Sequence, residues 1–167
     1  REVAISIHNH LDAALHRLEL RGAAARGRPR LRGDFVCHAA TAVNAPLVVC
    51  LPLSAHRALY SHKGLFPLEG ELVIGSTRHA FSRADSFCLV DIHKGYYPYV
   101  MKWRWATGAR VDSDGGLVGF NLTTNQVVDS ERYNENALWV AGGVQLLPPV
   151  HFEMDRDRPE APWRVCD

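Results

Sequence analysis

An antiparallel all-β fold, a sandwich or a barrel, is the class this sequence predicts, and three observations predict it. About a dozen short runs are either apolar–polar alternating or apolar throughout. Turn signals built from Gly, Pro, Asp and Asn separate them at roughly 8–12-residue spacing. No segment carries a long helical period. βαβ units are absent, as are GxGxxG and GxxxxGKS/T, which removes the doubly wound nucleotide-binding folds.

Taken in order, Glu2 to Ile7 alternates, with Val3, Ile5 and Ile7 on one face. Asn9 to Ala14 reads as a turn or a short helical segment. His16 to Arg21 sets Leu18 and Leu20 against Arg17, Glu19 and Arg21. A basic loop follows, with Arg21, Arg26, Arg28, Arg30 and Arg32 among Gly22, Gly27 and Pro29; it reads as a solvated loop, or as a docking surface for an acidic partner. Arg30 to His38 alternates again, with Phe35 and Cys37 inward. Pro46 to Leu53 is apolar on both sides and is expected to be a more buried strand, stopped by Pro52. His56 to His62 is the next run, ending at Lys63-Gly64. Phe66-Pro67 and Glu69-Gly70 read as turns before a hairpin of Glu71 to Gly75 and Arg78 to Phe81.

Asp85 to Gly108 is the most distinctive stretch, holding two of the four tryptophans and three of the five tyrosines. It is expected to supply strands over Ser86 to Ile92 and Tyr99 to Ala106. In its second half Tyr97, Tyr99, Met101, Trp103 and Trp105 alternate with Val100, Lys102, Arg104 and Ala106, which puts an aromatic stripe on one strand face. Asp112 to Gly116 is the strongest turn, because Asp-Gly supplies the positive φ angles of a tight hairpin. Leu117 to Thr123 is the return strand. Ala137 to Ala141 and Val144 to Leu147 flank Gly142-Gly143, and Val150 to Met154 alternates before a charged, proline-rich tail.

Lys and Arg number 19 against 18 Asp and Glu, so no bulk electrostatic case exists for nucleic acid or an anionic membrane. No run is long enough for a transmembrane helix. The chain does not start with Met, as expected of a processed form or a piece of a longer protein. No signal or transit peptide is visible, so the sequence names no compartment. Cys37, Cys50, Cys88 and Cys166 form no CxxC pair and sit in or beside apolar runs. Buried free thiols are expected, favouring a reducing compartment.

Nine histidines raise the question of metal, but only His8 and His10 fall together, with no third ligand nearby; no metal site and no cofactor is expected. HExxH and GxSxG are absent. The better candidates are carboxylates beside aromatics. Asp91 shares a strand face with Phe87, Leu89 and His93. Glu135 precedes the apolar run Ala137 to Ala141. Converging with Arg104 or Lys102, Asp91 and Glu135 would form an acid–base group; the alternative is a structural polar network. Tyr97, Tyr99, Trp103 and Trp105 would line a ligand cavity or fill a core.

The succession Asp91, Lys94-Gly95, Pro98-Tyr99, Trp103-x-Trp105-Ala106, Gly119-x-Asn121-Leu122, Glu135-Asn136-Ala137 and Pro162-Trp163-Arg164 resembles the family catalogued as domain of unknown function 2804. The likeness runs from about Leu53 to Val165. Where that family carries Arg, Trp and Arg, this chain has Lys94, Tyr97 and Val100, and its Asp129 to Asn134 loop differs too. The resemblance implies distant similarity to lipocalin-like two-barrel proteins, carotenoid hydratases among them. It implies an all-β, antiparallel lipocalin-like (calycin) barrel, this chain being the later part of a two-barrel protein. Residues 1–52 would then close a first barrel and 53–167 form the second. The expected function is binding of a hydrophobic small molecule, with Tyr97, Tyr99, Trp103, Trp105, Asn121 and Asn136 at the site. The alternatives are a hydratase or isomerase using Asp91, Glu135 and Arg104, or a non-catalytic accessory subunit with protein partners in a larger complex.

Overall fold

The computed structural model describes residues 3–10, 12–39, 44–114, 116–155 and 157–166. The alternating runs become strands: β1 (Val3–His10), β2 (Leu15–Gly22), β3 (Leu31–His38), β4 (Leu47–Ser54), β5 (Arg57–Ile74), β6 (Thr77–Phe81) and β7 (Phe87–Gly95). They continue as β8 (Arg104–Val111), β9 (Leu117–Thr124), β10 (Ala137–Val140), β11 (Gly143–Leu146), β12 (His151–Glu153) and β13 (Arg164–Cys166). The described residues are all-β and antiparallel, with no α-helix. Among them, no ladder joins the first strand of a sheet to its last.

The chain forms two compact units, neither of them one continuous stretch. The first holds 1–43, 65–89 and 110–116. Here β2 pairs β1 and β3, and β3 pairs the second half of β5, which also carries β6. Phe35 is buried and meets Phe81 edge-on, with ring centroids 5.4 Å apart. Opposite Phe35 lies Gly70, at φ +148°; a β-carbon there would run into the Asp34 carbonyl, so only glycine lets β5 lie this close to β3. Cys37 and Cys88 are joined as a disulfide, their α-carbons 6.6 Å apart.

The second unit holds 44–64, 90–109 and 117–167. The first half of β5 pairs β4, with Leu51 opposite Leu59 and Leu47 opposite Lys63. A four-stranded sheet runs β11-β10-β9-β8, and β12 pairs β13. Leu47, Leu51, Leu59, Ala137, Trp139 and Phe152 form the core. Trp139 is fully buried, and its indole N–H donates to the Ala45 carbonyl at 3.1 Å, so the one polar atom of the ring is satisfied.

Three expectations are corrected. Phe66-Pro67 and Glu69-Gly70 are not turns but lie inside the 18-residue β5. Pro67 falls between the segment paired to β4, ending at Lys63, and that paired to β3, beginning at Leu68, so its missing N–H costs neither ladder a bond. Second, Tyr99 to Ala106 is not one strand: 96–103 is irregular and β8 begins at Arg104. Pro98, just ahead of the expected strand, has no N–H to give a ladder, and pairing resumes only at Arg104. Third, the cysteines are not four buried thiols, because Cys37 and Cys88 pair while Cys50 and Cys166 are exposed. In the turn after β8, Asp112 accepts the Asp114 and Gly116 N–H groups at 3.0 and 2.7 Å; Gly115, on which the Asp-Gly expectation rests, lies outside the described residues.

Candidate functional site

Alternation along β5 turns Leu59, Ser61 and Lys63 to one side, and all three are buried. A lysine on such a face needs acceptors, because an unpaired buried ammonium is too costly to keep. β7 supplies them. Tyr96 N–H donates to the Ala58 carbonyl at 3.0 Å, and Gly95 lies against Leu59 so closely that a β-carbon would strike the Ala58 carbonyl. Counting back along the antiparallel pair from Gly95 opposite Leu59 puts Asp91 opposite Lys63.

Lys63 Nζ, in a residue 1% exposed, donates to Asp91 Oδ1 at 2.8 Å and to His93 Nε2 at 3.0 Å. Glu135, 4% exposed, brings Oε2 to 3.2 Å as an ion pair, outside the angles of a hydrogen bond. His93 Nε2 is also 2.9 Å from Asp91 Oδ1. Asp91 belongs to an exposed stretch of β7, yet its side chain is only 23% accessible. The ammonium occupies the centre on which two carboxylates and an imidazole converge. Among the described residues no three His, Cys, Asp or Glu side chains are set to hold a metal ion.

These four side chains form the polar part of a cavity of about 570 Å³. Tyr97, Pro98, Tyr99, Met101, Trp103 and Trp105 line it too, with Leu59, Thr123 and Asn125. The irregular segment that carries the aromatics is tied at both ends. Arg57 donates to the Tyr97 carbonyl, and the Lys102 N–H donates to Gln126 Oε1 at 3.1 Å. The irregular backbone of 96–103 therefore frees Tyr97, Tyr99 and Trp103 from a sheet face without dispersing them. Trp105 is oriented by its indole N–H, which donates to Asn121 Oδ1 at 2.7 Å, and its ring centroid is 5.7 Å from Lys63 Nζ, within cation–π range. Burial, then the nearby Asp91 and Glu135 carboxylates, hold the Tyr97 phenol above its ordinary pKa, so it stays a protonated donor at neutral pH.

Asn121 and Asn136 are fully buried and stand off the cavity wall. Asn121 Nδ2 donates to the Glu135 carbonyl at 2.7 Å, linking the Trp105 ring to the backbone that carries Glu135. Asn136 Oδ1 accepts from the Thr123 N–H at 2.6 Å, and its Nδ2 donates to the Pro148 carbonyl at 3.2 Å. Arg104 does not line the cavity; its guanidinium reaches the Phe152 carbonyl at 3.4 Å. Asp91 and Glu135 thus converge on Lys63 rather than on Arg104 or Lys102. Lys63 and His93 are the site residues that sequence reasoning did not single out. The signal for Lys63 was present as a lysine in register with Leu59 on an apolar strand face, but Lys63-Gly64 reads locally as a strand end.

No helix among the described residues is long and apolar enough to cross a membrane. No curated protein and no solved structure matches the chain. A family model does match, over residues 1–167: the chain belongs to the family described as Domain of unknown function (DUF2804).

Proposed function

We propose that this chain is a lipocalin-like module that binds a hydrophobic small molecule between Tyr97, Tyr99, Trp103 and Trp105. The observation that carries the reading is that these rings line a cavity instead of filling a core. Trp103 is 61% and Tyr99 104% exposed. Large aromatics left in water forgo about 1.5–3 kcal/mol of burial each, which an apolar ligand recovers. At about 570 Å³ the cavity has the size of a small-molecule site. The test is titration with the neutral probe N-phenyl-1-naphthylamine. Saturable one-to-one binding with enhanced probe emission is expected, weakened about tenfold or more by Trp103→Ala or Trp105→Ala. Absence of saturable binding to the unmodified chain would sink the reading.

A second reading is an acid–base enzyme, hydratase or isomerase in type, acting on such a ligand. The convergence of Asp91 and Glu135 on Lys63 favours it, since a buried group of this kind can hold and pass a proton beside an apolar substrate. In this reading the stabilising cation is Lys63 rather than Arg104. Asp91→Asn and Glu135→Gln leaving turnover of an identified substrate intact would eliminate it.

A further inference from the structure

We propose that the cavity selects apolar molecules ending in an ammonium group over those ending in a carboxylate; the proposal rests on the cavity being the ligand site. A buried lysine invites the opposite expectation, that it anchors an acid. The geometry argues against this. Lys63 Nζ already donates to Asp91 Oδ1 and His93 Nε2, with Glu135 Oε2 on it at 3.2 Å. An incoming carboxylate would compete with two carboxylates already there for one ammonium. His93 Nε2 lies 3.0 Å from Lys63 Nζ and 2.9 Å from Asp91 Oδ1, so the imidazole is already engaged within the cluster. Two carboxylates, Asp91 and Glu135, thus face the one ammonium at the polar end of the cavity.

The acceptors needed for an ammonium are present. Asp91 Oδ2 takes part in none of these contacts and has no protein partner among the described residues, while its side chain is partly open. Glu135 lines the same cavity, and its buried Oε2 accepts no hydrogen bond. A donor-rich cationic end group would meet the open Asp91 oxygen, with the Glu135 carboxylate behind it, and gain where a carboxylate would lose. The walls act in the same direction, because aromatic faces attract cations. Burial foremost, with the Asp91 and Glu135 carboxylates after it, raises the pKa of the Tyr97 phenol in the same cavity.

The experiment displaces N-phenyl-1-naphthylamine from the full chain at about pH 7.5 with dodecylamine, 1-dodecanol and dodecanoate, each below its micelle concentration. The amine is expected to compete about tenfold or more better than the acid, with the alcohol between. Asp91→Asn is expected to cut the amine-to-alcohol affinity ratio about tenfold, and Glu135→Gln to lower it as well, with circular dichroism checking that each variant folds. Acid binding as tightly as amine, while probe and alcohol bind, overturns the ammonium proposal and leaves the apolar-ligand reading standing. An amine preference unchanged in both folded variants overturns the ammonium proposal in the same way. If neither probe nor alcohol binds, both readings fall.

Discussion

Asp34 on β3 and Asp91 on β7 each hold a cation across a strand ladder, with very different surroundings. Arg21 Nη2 donates to Asp34 Oδ1 at 2.7 Å and Arg32 Nε to Oδ2 at 3.1 Å, with the Arg21 side chain 43% and the Arg32 side chain 63% accessible. Lys63 donates to Asp91 at a similar 2.8 Å but is buried, with the equally buried Glu135 beside it. Hydrogen-bond length does not separate the two clusters; access to water does. Around Asp34 a lost partner is replaced by solvent, so the pair contributes little. Around Lys63 a lost partner leaves charge with nowhere to go, so removal is expensive even where the intact group adds little net stability. The Asp34 cluster decorates a sheet, whereas the Lys63 cluster commits its part of the molecule to one arrangement.

The sharpest way to break this contrast is Lys63→Ala, which strands Glu135 and Asp91 without their cation. A loss of about 3–5 kcal/mol is expected in denaturant unfolding. A loss below about 1 kcal/mol would put the buried cluster in the same class as the surface one. Adding Glu135→Gln to Lys63→Ala should recover part of the loss, and the double-mutant cycle measures the coupling. Next comes Gly95→Ala, which leaves every charge in place but pushes β7 off Ala58. About 1–3 kcal/mol is expected, together with weaker probe binding, since Asp91 and the start of the aromatic segment would shift. Retained stability and binding would show that β7 need not lie this close to β5.

Asp34→Asn is the smallest effect, under about 1 kcal/mol, and smaller again in about 1 M salt. Its pH dependence has a definite sign. Hydrogen bonding to Arg21 foremost, and also to Arg32, holds the Asp34 carboxyl below its ordinary pKa. Its contribution is therefore present above the ordinary carboxylate pKa and fades as pH falls through the depressed folded value. Unfolding curves of the unmodified chain and Asp34→Asn should differ at about pH 6 and converge in strong acid. A gap that widens on acidification would reverse the assignment.

The sequence made the strands legible because alternation is a local property. Leu18 and Leu20, Phe35 and Cys37, and the apolar Leu47 to Leu53 each announce a strand within a few residues. It misled where local chemistry and tertiary context disagree. Phe66-Pro67 looks like a turn, but Pro67 lies within β5, between the stretches that pair β4 and β3. The run Tyr99 to Ala106 looks like one strand, but β8 begins only at Arg104, and the rings meet at a cavity because tethers through Tyr97 and Lys102 hold them there. Lys63 reads as a strand end because a lysine before a glycine is ordinarily exposed.

What the sequence determined by itself is the all-β class, the position of most strands, the family, and the suspicion attached to Asp91, Glu135 and the aromatic stretch. All of these are written in spacings of a few residues or in a linear succession of motifs. Only the tertiary structure decided that Cys37 and Cys88, 51 residues apart, are joined. Only it decided that Asp91, 28 residues from Lys63, is that lysine's partner, and that Lys63 takes the place expected of Arg104 beside Glu135. The physical reason is the same in both cases. Which charges and thiols meet depends on strand register and on what the fold shields from water, and neither is a property of any short stretch of chain.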